Sequence, residues 1–205
     1  SGKEEVCKCL TGVEKADTGS IEVAGKPVRF TSPKDAIANS IGCIPIDRRK
    51  EGLATSLDVA ENINLLVLDR MRSFLFLDLR KEKANADLWV KECLVKTPRL
   101  QTPCSTLSGG NQQKVVIAKW LAAQARILVL DHPTRGIDVG AKDEIYRRIR
   151  ELAAAGLSLI VMCDTLEEDI GLCNRMIVMK DGKVTTEIAC PKEKKPTALD
   201  VIGYI

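Results

Sequence analysis

The stretch from Leu107 to Asp138 constrains the fold more than any other part of the chain. It reads LSGGNQQKVVIAKWLAAQARILVLDHPTRGID, in which a Ser-Gly-Gly turn precedes a predicted helix and the helix leads into an apolar run. Residues Ile127–Leu130 are all apolar, a pattern typical of a strand buried on both faces of a sheet. Because Asp131 ends that strand, we expect it at the edge where open α/β sheets bind their ligands. The stretch therefore predicts an α/β fold with a ligand site at one edge of its sheet.

Ser108, Gly109 and Gly110 have the composition of a loop that brings its backbone close to a ligand, since glycine has no side chain to block the approach. The backbone N–H groups of the next turn, near Asn111 and Gln112, are expected to be unpaired and to point at that ligand. Free donors at a helix N-terminus form an anion site. We therefore assign the Ser-Gly-Gly turn and Gln112 to a predicted binding surface.

These motifs carry a family resemblance. LSGGNQQ followed by ILVLD resembles the signature and Walker B motifs of ABC-type ATPases. The variant LSGGNQQK, with PTRGIDVGAKDEIY behind Walker B, resembles the second nucleotide-binding domain of monosaccharide importers of the ribose, galactose and xylose type. The resemblance runs along essentially the whole chain. It implies a P-loop NTPase core with an antiparallel β-subdomain and an α-helical signature subdomain. The expected organisation is one nucleotide-binding domain over residues 1–205, with the helical subdomain inserted at residues 58–106.

The first residues match the end of the phosphate loop, G-x-x-x-x-G-K-[ST], in which the lysine neutralises phosphate charge and the hydroxyl coordinates Mg²⁺. Ser1, Gly2 and Lys3 fit this end, and the chain is therefore expected to be cut inside its own loop. Taken alone, the tripeptide is also typical of a frayed terminus, but its spacing to Thr11-Gly12 matches the family. Glu4 stands where the hydroxyl belongs, and its negative charge beside the phosphates predicts weakened Mg-nucleotide binding.

The resemblance also implies roles for four later positions, some of which depart from the family pattern. Asp131 is the Walker B acid, expected to hold Mg²⁺ through water, and Asp138 matches the acid that links the two sites of a dimer. His132 occupies the position of the glutamate that polarises water, although a lone histidine is more often structural. Asp164 falls at the position of the switch histidine, where an acid would repel the γ-phosphate. Ile46 replaces a polar residue expected before Asp47.

The basic run Asp47–Leu53 leaves two interpretations open. It is typical of a solvated turn, and it also resembles the segment that replaces the Q-loop in the sugar importers. In the second interpretation the run forms the coupling surface toward the transporter's membrane helices.

Local patterns predict the other elements. A helix over residues 4–12 is expected to turn Val6, Leu10 and Cys9 toward the sheet, and Gly19–Phe30 predicts a β-hairpin. Ile41–Ile46 predicts a buried strand interrupted by a proline. Asp58 and Glu61 predict a capped helix start, and Phe74–Leu79 is a short apolar patch in a mostly helical segment. A helix is expected over Lys81–Val95, with Ala84, Leu88 and Leu94 inward. An amphipathic helix is expected over Lys142–Ala155, with Ile145, Ile149 and Leu152 on one face.

Composition narrows the function classes. The net charge of +3 is spread along the chain, and we expect no nucleic-acid partner. The 8 cysteines form no C-x-x-C pair, and the opening SGKEEVCK has no apolar signal core, so reduced thiols are favoured over a disulfide framework or a zinc site. No apolar run approaches the roughly 20 residues that a membrane span needs. These features point to the cytoplasm, and the family resemblance implies a peripheral protein at the cytoplasmic face of the cell membrane.

The resulting hypothesis is an ATP-binding domain of an ABC sugar importer, with ATP and Mg²⁺ as cofactors. In the family, ATP lies between the Walker motifs of one domain and the signature of the other, so the intact signature here is expected to serve a partner domain. The expected partners are a second nucleotide-binding domain, membrane permease subunits and, indirectly, an extracellular or periplasmic sugar-binding protein. The alternative is a regulatory or scaffold module outside transport. A DNA-repair or translation ABC ATPase is disfavoured by the short helical insert.

Overall fold

The structure, a computed structural model, describes residues 2–73 and 76–205, and within them helices and strands alternate along the chain. The elements are α1 (Lys3–Leu10), β1 (Ile21–Val23), β2 (Lys26–Val28), α2 (Pro33–Ala38), β3 (Ile41–Ile44), α3 (Val59–Asn64), β4 (Arg72–Ser73), β5 (Phe76–Leu77), α4 (Leu79–Glu92), α5 (Gly109–Ala122), β6 (Ile127–Asp131), α6 (Val139–Ala154), β7 (Ser158–Met162), α7 (Leu166–Leu172), β8 (Arg175–Lys180), β9 (Lys183–Ala189) and α8 (Ala198–Ile202). A single π-helical turn, Arg48–Gly52, follows β3. This order confirms the predicted α/β class.

A parallel sheet in the order β3–β6–β7 forms the centre of the molecule. Its register pairs Ile44 with Leu130 and Asp131 with Met162, so the carboxyl ends of the three strands meet at one edge. Strand β3 ends at Ile44 and not at Ile46 as the sequence suggested. The reason is Pro45, which has no N–H group to donate to the ladder.

Helix α5 is the centre of the main core. Every residue from Gln112 to Lys119 is buried, because the helix lies between the sheet and helices α3, α4 and α6. Its apolar residues pack with the buried strand residues Leu128 and Leu130. Helix α6 contributes the face that the sequence predicted, with Ile145, Ile149 and Leu152 all buried.

Two short antiparallel hairpins flank the sheet, and the first is the one that the sequence predicted at Gly19–Phe30. Strands β1 and β2 pair around Ala24-Gly25, where both residues have positive φ. They cover a small second core that contains Cys7, Phe30 and Val129. Strands β8 and β9 form the other hairpin.

The helical insert leaves and re-enters the main body at a narrow neck. Val59 N donates to Thr102 O at 3.1 Å and Cys104 N donates to Leu57 O at 3.1 Å, so the two ends of the insert run side by side. Asp58 caps α3 with Glu61 in the predicted reciprocal arrangement. A small core of Ala60, Ala86 and Leu100 lies inside the insert.

Two expectations about helix faces are wrong. In α1, Cys7 is buried whereas Val6 is 44% exposed, so the helix turns a different side toward the sheet. In α4, Ala86 is buried, whereas Ala84, Leu88 and Leu94 are exposed. Both helices are short on apolar residues, and neighbouring segments decide which face is covered. The predicted patch Phe74–Leu79 begins with residues 74 and 75, which lie outside the described residues.

A groove of about 970 Å³ separates the central sheet from the last hairpin. Strand β7 lines it along its whole length, and β8 lines the opposite side. Within the described residues, β7 pairs only with β6 and β8 only with β9, so each presents an unpaired edge. Ile160 and Ile177 are 39% and 55% exposed. Over residues 2–73 and 76–205, no helix is long and apolar enough to cross a membrane.

Candidate functional site

The carboxyl end of β6 carries the first predicted site residues. Asp131 ends the strand, and His132 follows in the left-handed region with φ 49°. His132 is only 6% exposed, and its Nδ1 lies 2.5 Å from Asp131 Oδ1. Its backbone N–H donates to Met162 O at 2.8 Å, which fixes the residue against the end of β7. The imidazole is therefore held tightly beside the Walker B acid.

Asp164 closes the other side of the imidazole. Its Oδ1 lies 4.0 Å from His132 Nε2. The same oxygen accepts hydrogen bonds from Arg135 Nε at 3.0 Å and Nη2 at 2.8 Å. The sequence predicted an acid that repels the γ-phosphate, and the structure adds that this acid pairs with Arg135. The sequence reasoning did not single out Arg135, although it lies within the quoted PTRGID motif.

The start of α1 lies near this edge. Cys7, one turn into the helix, places its Sγ 3.5 Å from Met162 Sδ. Burial raises the pKa of the Cys7 thiol to about 11, with a smaller upward contribution from Asp131 and a lowering contribution from Lys3. Lys3 and Asp131 therefore both lie close enough to influence the pKa of this thiol. We call Lys3, Asp131, His132 and Asp164 the acid edge.

Gly2 and Glu4 flank Lys3. Gly2 caps α1 in the left-handed region with φ 89°, and a Cβ there would lie 2.9 Å from Gly182 Cα, so only glycine fits. Glu4 is exposed in the first turn of α1. Ser1, the remaining predicted phosphate-loop residue, lies outside the described residues.

A further acid lies behind this edge. Asp169 Oδ1 accepts a hydrogen bond from Cys163 N at 2.9 Å. Burial is the largest influence on the Asp169 carboxyl and raises its pKa, against the lowering effects of the Cys163 hydrogen bonds, Lys3 and His132. The edge therefore concentrates negative charge around one imidazole and one lysine.

The signature turn, Ser108–Gly110, lies elsewhere, at the start of α5. Ser108 is exposed and is the N-cap residue of α5, and its Oγ accepts a hydrogen bond from Asn111 Nδ2 at 3.0 Å. A Cβ on Gly110 would lie 3.0 Å from Ala141 Cβ, the first turn of α6. The glycines were expected to allow approach of a ligand, and the structure adds that they also allow close packing inside the chain.

The backbone N–H of Gln112 is not free, which corrects the prediction from sequence. The side chain is fully buried, and its Nε2 donates to Cys104 O at 3.0 Å. Its Oε1 accepts a hydrogen bond from Arg49 Nε at 3.1 Å. The backbone N–H, expected to be free, donates to Ser108 O at 2.9 Å because it already belongs to the helix ladder. Gln112 therefore fixes the start of α5 from inside.

Asp138 lies at the start of α6, on the same side as the signature turn. Its side chain accepts a hydrogen bond from Ala141 N at 2.9 Å and caps the helix. The contacts described for Asp138 and for the signature turn involve neither Lys3 nor Asp131. The structure therefore brings Lys3, Asp131, His132 and Asp164 together and places Ser108, Gly109, Gly110 and Asp138 in a second group.

The basic turn Asp47–Gly52 bridges to this second group. Asp47 Oδ1 accepts hydrogen bonds from Arg49 N and Lys50 N, which folds the turn on itself. Arg48 reaches across to donate to Arg135 O at 2.7 Å and Gly136 O at 3.1 Å. Sequence reasoning found the basic run but gave no signal for these partners, since they lie more than eighty residues away.

The side chains around Asp131 offer few ligands for Mg²⁺. Among the described residues, no three His, Cys, Asp or Glu side chains gather to form a metal site. Mg²⁺ commonly uses only one or two carboxylates together with phosphates and water. Asp131 Oδ1 is engaged by His132, and Oδ2 has no hydrogen-bond partner among the residues described. One carboxylate oxygen fits a water-mediated contact and would leave most of the coordination to the phosphates.

Comparisons with known proteins agree with this geometry. A family model described as ABC transporter matches residues 1–135. A putative ribose/galactose/methyl galactoside import ATP-binding protein of Rhizobium etli is 44% identical over 92% of this chain and 36% of its own length. A ribose import ATP-binding protein of Mesorhizobium japonicum is 43% identical over 97% of this chain and 39% of its own length. The chain thus spans a little over a third of these relatives.

Solved structures share the fold. A nucleotide-free ATP-binding cassette from an ABC transporter superposes with a TM-score of 0.79 at 22% identity, over 99% of this chain and 80% of that one. A dimeric cassette in a post-hydrolysis state with ADP and Pi gives a TM-score of 0.74 at 20% identity, over 92% of this chain and 81% of that one. The predicted P-loop ATPase fold of the ABC type is confirmed.

Proposed function

The chain belongs to the ABC transporter ATP-binding family, and from this premise we propose that it is a nucleotide-binding domain of a monosaccharide importer. It binds ATP at an interface with a second nucleotide-binding domain and supplies its signature turn to the partner's site. Its own acid edge contributes little hydrolysis. The relatives named for ribose, galactose and arabinose import support a monosaccharide as the transported substrate.

The observation that carries the proposal is the separation of the two groups of residues. The acid edge lies at the carboxyl end of the sheet, whereas Ser108 projects from the start of α5 with no described contact to that edge. Ser108 is exposed at the N-terminus of α5, so an anion brought by a partner can reach it there. A site that needs both groups is therefore best completed between two domains.

The acid edge itself is poorly suited to hydrolysis. The imidazole of His132 is buried and engaged by Asp131, so it is not presented to water in the way that an exposed base would be. Loss of a general base costs typically about 10²–10⁴ in rate. Glu4 adds an exposed carboxylate at the position where a hydroxyl would assist Mg²⁺. Together these substitutions support a role for this chain as the assisting partner.

Nucleotide contacts remain available at this edge. Gly2 and Lys3 begin α1, where helix N–H groups and the ammonium favour phosphate, and we assign Ser1 to the same loop. Asp131 would hold Mg²⁺ through water, and the ion would offset phosphate charge. Asp138, exposed at the start of α6, would face the partner domain.

The proposed organisation is one domain over residues 1–205 with a helical subdomain at residues 58–106. The hydrogen-bonded neck at Val59–Thr102 and the separate small core of the insert support these bounds. The partners would be a second nucleotide-binding domain, permease subunits and, indirectly, an extracellular sugar-binding protein. The site of action would be the cytoplasmic face of the cell membrane.

The test compares two substitutions in the assembled transporter. Ser108→Arg places a long side chain on the face offered to the partner, and we expect sugar-stimulated ATPase activity to fall about 100-fold, as for removal of a transition-state donor. Lys3→Ala should lower the activity less than about threefold, since this chain's own site contributes little. Ser105→Arg, the same change at an exposed residue of the preceding turn, is the matched control.

Two outcomes would contradict the proposal. Rapid ATP turnover by this chain without a partner, abolished by Lys3→Ala, would show a competent site of its own. Unchanged transport in Ser108→Arg would favour the regulatory or scaffold module, in which only the fold is retained.

A further inference from the structure

We propose that Arg48 is a positioning residue whose guanidinium fixes the signature turn to the loop that follows the Walker B strand, so that the two move together. Its Nη1 donates to Arg135 O at 2.7 Å and its Nη2 donates to Gly136 O at 3.1 Å. These two carbonyls lie between the acid edge and Asp138. One side chain thus holds the backbone of the loop at two consecutive residues.

The signature turn closes on the same guanidinium. A Cβ on Gly109 would lie 2.6 Å from Arg48 Nη2 and 3.1 Å from Gly136 O. The backbone of Gly109 therefore rests against both the arginine and the loop that the arginine holds. A Cβ on Gly109 would crowd both, so Gly109 lies in close contact with the guanidinium and with Gly136.

The chemistry of this position favours arginine over lysine. A guanidinium presents several N–H donors in a rigid planar fork, whereas an ammonium is a compact point charge on a flexible stem. Two carbonyls of consecutive residues match such a fork. Arg48 is half-buried, and burial is the main cause that lowers its pKa, but an arginine stays charged at physiological pH. The charge strengthens both hydrogen bonds.

The basic turn that carries Arg48 is itself anchored to helix α5. Lys119 Nζ donates to Gly52 O at 2.5 Å, and Arg49 Nε donates to Gln112 Oε1 at 3.1 Å. A Cβ on Gly52 would lie 3.2 Å from Val116 Cγ2, which shows how closely the turn lies on the helix. The basic turn therefore moves with α5 and not independently of it.

The consequence rests on the proposed function, in which the signature turn serves the partner's site and Asp138 faces the partner. A displacement of the basic turn would reposition the signature turn and the loop at residues 135–136 as one unit. Both groups would then approach or leave the partner's nucleotide together. The guanidinium therefore makes the signature turn and residues 135–136 move together at the interface.

Hydrogen–deuterium exchange on the purified protein tests the tie directly. In Arg48→Ala, we expect exchange to accelerate about tenfold or more at both residues 109–112 and residues 135–138, because both segments lose a shared support. Lys50→Ala removes a neighbouring charge whose side chain is 82% exposed and should accelerate neither segment. The proposal would be overturned if exchange in Arg48→Ala accelerated in only one segment or in neither. It would also be overturned if Lys50→Ala accelerated exchange equally.

Arg48→Lys separates geometry from charge and carries the test if Arg48→Ala does not fold. Lysine keeps the charge but reaches one carbonyl at a time, so exchange should lie between that of the wild type and that of Arg48→Ala. If Arg48→Lys exchanged at the wild-type rate, a point charge would suffice, and the proposed role of the planar guanidinium would be wrong.

A kinetic measurement in the assembled transporter adds a readout that loss of folding alone would not give. Arg48→Ala should lower kcat of sugar-stimulated ATPase activity about tenfold and change KM for ATP less than about twofold. A rise in KM at constant kcat would contradict a positioning role. If Ser108→Arg leaves activity unchanged, the proposed function fails, whereas the exchange result still decides the tie.

Discussion

The signature turn and the acid edge differ in what holds them in place. The signature turn is built from backbone contacts, in which Gly109 meets Arg48 and Gly110 meets the start of α6. The acid edge is built from side chains, in which His132 lies between Asp131 and Asp164. In the signature turn, a side chain added to a glycine would collide with its neighbours. At the acid edge, one side chain can be replaced by another while the strand stays intact. This explains how one motif can stay complete beside another that has changed.

The two regions also differ in the sign of their buried charge. Around α5 the buried or half-buried groups are cations, with Arg48 and Lys119 bonded to carbonyls and Lys114 bonded to Leu94 O and Glu144. At and behind the acid edge they are mainly carboxylates, and one of these is Asp169, whose pKa burial raises. The comparison predicts that substitutions around α5 change the stability of the chain, whereas substitutions at the acid edge change its stability little.

The largest expected effect restores chemistry at the acid edge. His132→Glu supplies an exposable carboxylate next to Asp131, and we expect hydrolysis at this chain's own site to rise about 100-fold, the lower end of a general-base contribution. The measurement is the ATPase rate of the assembled transporter in a Ser108→Arg background, which silences the partner's site, with His132→Gln as a control that adds no base. An unchanged rate would mean that Glu4 or Asp164, and not His132, limits this edge.

The next effect probes the cationic region through pH. Burial lowers the pKa of Lys119 to about 8. Between that value and the ordinary pKa of an unfolded lysine, the unfolded chain binds a proton that the folded chain has released, so the free energy of unfolding rises with pH. Relative to Lys119→Met, the wild type should gain up to about 3 kcal/mol over this window, at 1.36 kcal/mol per unit. Urea unfolding at about pH 7.5 and about pH 10 measures the gain, and parallel curves would contradict the burial of charge.

A third effect tests the backbone construction of the signature turn. Gly109→Ala forces a Cβ against Arg48 Nη2 and Gly136 O, and we expect a loss of about 1–3 kcal/mol in the free energy of unfolding. Gly171→Ala is the control, because a Cβ there meets nothing within 4 Å and its helix should gain up to about 1 kcal/mol. Equal stability of the two variants would remove the distinction between the regions.

The smallest effect is expected at Asp164. Its partner Arg135 has a side chain that is 51% exposed, so the ion pair contributes less than about 1 kcal/mol. Asp164→Asn should therefore leave the midpoint of urea unfolding nearly unchanged. A loss of more than about 2 kcal/mol in the free energy of unfolding would show that the acid edge contributes to stability as much as the signature turn does.

Local signals were enough to predict much of the fold. The strand ending at Asp131 follows from its apolar run, and the cap formed by Asp58 and Glu61 follows from residues three apart. The buried face of α6 follows from helical spacing. Each of these depends on neighbours in the sequence, so the sequence alone is sufficient.

The wrong expectations depend on distant segments. Cys7 is buried in place of Val6 because Met162, far along the chain, meets that side of α1. Local signals also did not predict that Cys104 and Arg49 engage the Gln112 side chain inside the protein. The roles of Ser108, Lys3 and Asp138 in binding remain predictions, since they concern molecules that the chain alone does not contain.

The unpaired edges along the groove have a practical consequence for handling the isolated chain. A strand edge with free N–H and C=O groups is a template for another strand, and apolar side chains beside it favour association. Within the part of the chain that the structure describes, β7 and β8 both present such edges, with Ile160 and Ile177 partly exposed beside them. We expect the 205-residue chain to aggregate as its concentration rises, through intermolecular β-pairing at this groove. A lysine at Ile177, on the exposed side of β8, would act as a gatekeeper against such pairing.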